Sequence, residues 1–139
     1  MSTVKDVKNK IKDHLEAMDD GSGNLRFSTV SILPLLDSYQ DAPYAELFFG
    51  SGEFNSDING TLDYPLTMVI RVTIDNEETA EEIWEQMIKL WFNNTNFQEL
   101  SDLNVIECKP LDAIVPVVLP GGNRYIMDIK YSLEIRYTY

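Results

Sequence analysis

The chain has 139 residues, 44% of them hydrophobic and 24% charged, with a formal net charge of −12. That length and balance suit one folded domain spanning residues 1–139 and exclude global disorder. The acid excess argues against sequence-specific nucleic-acid binding, because phosphate contacts need clustered Lys and Arg.

Charge is unevenly placed. Residues 1–12 carry Lys5, Lys8, Lys10 and Lys12 against Asp6, a balance of +3, so the remainder holds 22 acids against 7 bases, or −15. The two regions attract, which makes the basic first segment a candidate for docking on an acidic patch of another copy. The apolar stretches are far shorter than a membrane span, and no basic and apolar leader precedes the first helix. A soluble protein made in the cytosol, without membrane contact, is expected. Cys108 is the single cysteine; it forms no internal disulfide and reads as a small core residue.

In chain order, Val4, Val7, Ile11, Leu15 and Met18 repeat at helical spacing, with Ser2 or Thr3 as N-cap. The helix closes at Asp19-Asp20-Gly21-Ser22-Gly23-Asn24, a segment of turn-forming residues. Phe27–Leu36 is apolar but holds Pro34, so it predicts at best a short edge strand. Ala42–Phe49 reads as a strand entered through Pro43, and Gly50–Asp63, rich in Gly, Ser, Asn and Asp, as a long loop. Tyr64, Leu66, Met68, Ile70, Val72 and Ile74 then alternate with mostly polar residues and predict a strong strand.

Asp75 with Glu78 three residues on has the form of a capping box for a second helix. Its first turns hold Glu77, Glu78, Glu81 and Glu82, where the helix dipole favours negative charge. Ala80, Ile83, Trp84, Met87, Ile88 and Trp91 form its apolar stripe, running to Phe92 and stopping at Asn93-Asn94. Leu103–Lys109 predicts a short strand ended by Pro110, and Pro116 and Pro120 keep Ala113–Leu119 out of any central strand. After the Gly121-Gly122-Asn123 turn, Tyr125–Tyr139 alternates with only Ile126 out of pattern. Fully extended, this last strand spans roughly 45 to 50 Å at about 3.3 Å per residue, against a body diameter of roughly 35 to 40 Å. It must bend at a bulge, or its end must reach a neighbour. The predicted fold is α+β, a mostly antiparallel sheet covered on one face by two helices, in the order α-β-β-β-α-β-β.

No catalytic constellation emerges, and no cofactor or metal is implied. His14 has no second histidine or cysteine nearby to build a zinc site and reads as structural. Gly50-Ser51-Gly52 lacks the lysine and helix start of a phosphate loop. Asp19, Asp20 and Asn24 miss the spacing and closing glutamate of a calcium loop.

The short amphipathic first helix, the Pro43-Tyr44 pair opening a strand, the polar loop, the helix with its Ala80 to Leu90 core stripe and the long alternating terminal strand together resemble the tail terminator, or tail completion, proteins of long-tailed bacteriophages. The resemblance is one of order, length and texture over nearly the whole chain. It implies an α+β subunit of a homohexameric ring that caps the tail tube, fixes its length and meets the head, without catalysis. The implied partners are further copies, the major tail tube protein and head-tail connector proteins; the implied place is the virion tail, after assembly in the host cytoplasm. By position, the loop with Glu53, Phe54, Asn55 and Asp57 corresponds to the family's long flexible loop, which implies a contact to the tube or the next subunit. Lys5, Lys8 and Lys12 lie on one side of the first helix and are candidates to meet an acidic neighbour. Tyr137 and Tyr139 are the candidates if the last strand leaves its own domain. The alternatives are an acidic DNA mimic and another head-tail connector or neck protein. A DNA-mimicking decoy that inhibits a host enzyme ranks lower, since many acids sit at helix starts and in loops rather than spaced like phosphates.

Overall fold

The computed structural model describes residues 4–32, 42–51, 55–56, 60–92, 94–113, 117–118 and 124–138. Two strands of 14 residues, β4 (Thr61–Ile74) and β7 (Tyr125–Thr138), pair antiparallel along their whole length, from Thr61 opposite Thr138 to Ile74 opposite Tyr125. β2 (Tyr44–Ser51) lies antiparallel on the other side of β4, and the short β1 (Thr29–Ser31) runs parallel to β2. β5 (Val105–Ala113) pairs with the far side of β7. Two strands of two residues complete the sheet: β3 (Asn55–Ser56) on β4 and β6 (Val117–Val118) on β7. The order β1-β2-β4-β7-β5 is antiparallel but for its first pair, as the sequence predicts.

Alternation decides the faces. Leu66, Met68, Ile70, Val72 and Ile74 of β4 and Met127, Ile129, Tyr131, Leu133 and Ile135 of β7 are all buried in one cluster. Val7, Ile11 and Leu15 of α1 (Val4–Glu16), Ile83 and Met87 of α2 (Glu77–Ile88) and Leu100 of α3 (Thr95–Ser101) join the same cluster, so the helices cover one side of the sheet. Each fully buried aliphatic side chain here contributes roughly 1.5 to 3 kcal/mol of burial free energy.

Three helices stand where two are predicted. The seven residues of α3 are too short to show an apolar period, and what fixes them is Asn94. Its Oδ1 accepts from the Phe97 N–H at 3.0 Å as N-cap, while its Nδ2 donates to the Lys89 and Leu90 carbonyls that close the preceding turn. The second helix therefore ends at Ile88 rather than Phe92. Its cap is Asn76, not Asp75: the Asn76 side chain accepts from Glu78 N at 2.9 Å. Trp84 also departs from the expected stripe. Ala80, Ile83, Met87 and Trp91 are buried, whereas Trp84 stands on the flank of the helix at 38% exposure.

Further corrections concern strand limits. Pro110 does not end β5, because β5 is an edge strand whose outer side needs no N–H there, and a register shift follows at Pro110/Asp112. The predicted loop Gly50–Asp63 is partly sheet, since Thr61–Asp63 extend β4 and Asn55–Ser56 pair with Asp63 and Leu62. A polar composition reads as loop, but the long β7 supplies a ladder that these residues join. The turn after α1 is a small hairpin, with Asp19 bridged to Leu25 and the Arg26 N–H donating to Met18 O at 2.8 Å. There the Asp19 and Asp20 carboxylates accept the Gly21 and Ser22 backbone N–H groups, and Gly21 and Gly23 take φ of 84° and 91°.

Cys108 is buried in β5, and burial pushes its thiol far above the ordinary cysteine range. The thiolate is the reactive form, so iodoacetamide at pH 8 is expected to leave the folded chain unmodified over hours and to label it fully in 6 M guanidinium; intact mass reads both. Equal labelling in both conditions would show that this strand opens readily.

Candidate functional site

Charge on the surface is sorted by layer. On the sheet face away from the helices, β4 and β7 carry two opposite-charge pairs in direct cross-strand register, Arg71 with Asp128 and Arg136 with Asp63. Each is a two-pronged contact at 2.8 and 3.0 Å, and such forks tie a guanidinium to a carboxylate in one geometry. Arg71 also lies over the Phe48 ring at 5.5 Å and faces Glu46 across the ladder. The hydrogen bonds it donates to Asp128 hold its guanidinium above the usual range. Arg124 stacks over Tyr44 at 5.9 Å, and Lys109 meets Glu107 at 3.5 Å. With Lys130, opposite Val69, this face and its margin hold five of the seven bases after residue 12.

That face is a register lock. Slipping the β4/β7 ladder by one residue would break both forks and turn the core residues outward. Arg71→Lys replaces a planar fork by a point charge and leaves Asp128, whose side chain is only 14% exposed, short of a partner. The expected loss is about 1 to 2 kcal/mol in urea unfolding; no change would show that the fork is dispensable.

On the helical side, α2 bears five glutamates and no base: Glu77, Glu78, Glu81, Glu82 and Glu85. Glu82 reaches Arg26 at 3.4 Å, and the Arg26 Nε donates to Gln86 at 2.8 Å. These residues, with Asp19, Asp20, Gly21, Glu85 and Lys89, line an open groove of about 440 Å³. Its carboxylates lie apart from any histidine or cysteine, and no group of metal-ligating side chains occurs among the described residues.

The predicted site residues fall in separate places. Lys5 is exposed and Lys12 half-exposed on α1, while the Lys8 ammonium sits 4.8 Å from the centre of the Phe49 ring. Lys10, on another side of the helix, approaches Glu99 at 4.0 Å. Asn55 is in β3 opposite Asp63. Tyr137 is in β7 opposite Leu62, partly buried against the core. Glu53, Phe54, Asp57 and Tyr139 lie outside the described residues.

His14 is buried rather than surface-exposed, because α1 places it over Trp91. The Trp91 Nε1–H donates to its Nδ1 at 2.9 Å, so Nε2 carries the proton and donates to Glu99 Oε2 at 2.7 Å. Trp91 in turn meets Tyr131 edge-on at 5.2 Å, and the Tyr131 hydroxyl donates to Met87 O at 2.9 Å. Both polar ends of His14 are thereby satisfied within the fold, which leaves it no free base to act on a substrate.

An apolar corner went unread in the sequence. Phe92 at 72%, Leu111 at 58% and Ile106 at 40% exposure stand on or beside the edge strand β5, and Phe97 separates two hollows of about 170 and 380 Å³. Ile106 follows buried Val105 and faces outward by alternation, and the register shift between Val105 and Glu107 returns Cys108 to the core. A bulge has no sequence signature here.

No protein-family model matches the chain, and no curated protein does. Among solved structures, it resembles a chain of the "Virion of native gene transfer agent (GTA) particle", with a TM-score of 0.56 over 90% of each chain and 14% sequence identity. The fold is shared with a virion chain. At that identity the likeness speaks for the architecture, the paired long strands with helices on one side, and carries no residue assignment. No helix among the described residues is long and apolar enough to cross a membrane.

Proposed function

We propose that this chain is a structural, non-catalytic protein of a phage-like particle, and within that class a tail terminator: a subunit of a hexameric ring that caps the tail tube, sets its length and meets the head. The observation that carries this reading is the fold likeness to a gene transfer agent virion chain over nine-tenths of both proteins. Further copies of the chain, the major tail tube protein and head-tail connector proteins are its proposed partners, and the virion tail is its place after assembly in the host cytoplasm. Glu53, Phe54, Asn55 and Asp57 remain the proposed contact to the tube or the next subunit.

Solution mass and negative-stain images over a range of protein and salt concentration, with and without tail tubes, test the reading. Annular hexamers, free or seated on tube ends, are expected. A chain that stays monomeric, ignores the tubes and inhibits a DNA-binding enzyme would overturn it in favour of the acidic decoy.

A further inference from the structure

α2 turns an unpartnered face to solvent whose charges match those of α1. Glu78, Glu81 and Glu85 are exposed, have no ion-pair partner among the described residues and follow one another at intervals of three and four. Lys5, Lys8 and Lys12 follow one another on α1 at the same intervals, and Lys5 and Lys12 are likewise without an acidic partner among the described residues. At about 1.5 Å rise per residue, both triads span roughly 10 Å along one side of a helix. Carboxylates on a helix start are by themselves a solvated face. Trp84 adds what such a face does not need: a large aromatic at 38% exposure in a stripe whose other members Ala80, Ile83, Met87 and Trp91 are buried. On the helix it adjoins Glu81 and the half-buried Ile88, on the flank of the glutamate row. A partly exposed aromatic beside a row of charge has the composition of a surface that a partner covers.

We propose that this face of α2 docks α1 of a second copy, side by side, with Lys5 against Glu78, Lys8 against Glu81, Lys12 against Glu85, and Trp84 covered at the edge of the contact. Each copy is −12 overall, and the +3 balance of residues 1–12 makes the local meeting of α1 with an acidic face attractive. Donor and acceptor faces are different surfaces of one chain, so a head-to-tail contact can repeat from copy to copy, closing into a ring if the rotation allows. This rests on the ring reading above and names the surface that reading lacks.

The test is a charge exchange. One variant carries Lys5→Glu and Lys12→Glu, the other Glu78→Lys and Glu85→Lys; none of the four side chains is buried, and circular dichroism and thermal melting check that both fold. Each variant alone sets like charges against each other, and the concentration needed for association is expected to rise about tenfold or more. Mixed one to one, the two present opposite charges at every contact, and association is expected to return near the unmodified level. Trp84→Ser with native charges is expected to weaken association similarly, and added salt to weaken the native contact. Rings that form unimpaired in either charge variant alone, or a mixture that fails to recover, overturn the α1–α2 contact and leave the terminator reading standing. Unmodified protein that forms no ring, free or on tubes, overturns both.

Discussion

A chain that stops at Glu134 is expected to lose its native sheet. The five residues removed include Ile135, which is fully buried, and Arg136, whose fork holds Asp63 and whose N–H donates to Asn104 O at 2.8 Å. They also include Tyr137, packed against the core opposite Leu62. Truncating Ile135 to alanine alone is expected to cost about 2 to 5 kcal/mol, against a total stability of about 5 to 15 kcal/mol for a domain of this kind. Near-ultraviolet circular dichroism in urea should therefore show Ile135→Ala well destabilised and the shortened chain with little native signal in water. Tyr137→Ser, at a half-buried position, is expected to cost about 1 to 2 kcal/mol. If the shortened chain melts like the full one, the strand end lies outside the core and its excess length serves another purpose.

That strand also shows why some of the fold was legible and some was not. Tyr125 to Tyr137 alternates because one side meets helices and the other water, and its partner Leu66 to Ile74 alternates for the same reason; a period of two is visible in sequence whatever the partner. Its length had two explanations, a bend or a crossing to a neighbour. In the structure β4 matches it residue for residue, so through Thr138 it extends its own sheet. α3 was illegible because its start depends on Asn94 serving two turns at once, a three-dimensional fact. Trp84 was misread because helical phase, not residue type, turns it outward. The basic triad on α1 was read correctly as one side of a helix. That Lys8 would lie over Phe49 required knowing that β2 passes beneath α1.

Replacing Trp91 by phenylalanine is expected to cost more than its change in volume suggests. The ring remains largely filled, but the Nδ1 of buried His14 loses the Trp91 donor, and an unpaired buried acceptor costs about 1 to 3 kcal/mol. His14→Leu strands the Trp91 N–H in the same way. With both replaced, neither polar atom is left unmatched, so the double variant should be more stable than the sum of the single losses predicts, by about 1 to 2 kcal/mol. Additive losses in urea unfolding would show that the Trp91–His14 bond does not hold α1 onto the sheet. The third member adds a dependence on pH. The hydrogen bond from His14, first, and then the charge of Lys10 hold the Glu99 carboxyl below its ordinary value. A depressed carboxyl stabilises the fold above its unfolded value and stops doing so as pH falls through its folded value. The stability difference between the native chain and Glu99→Gln should therefore be greatest at neutral pH and shrink below about pH 5. A difference that is constant from pH 7 to 3 would mean that His14 donates elsewhere and that α1 is held by its apolar stripe alone.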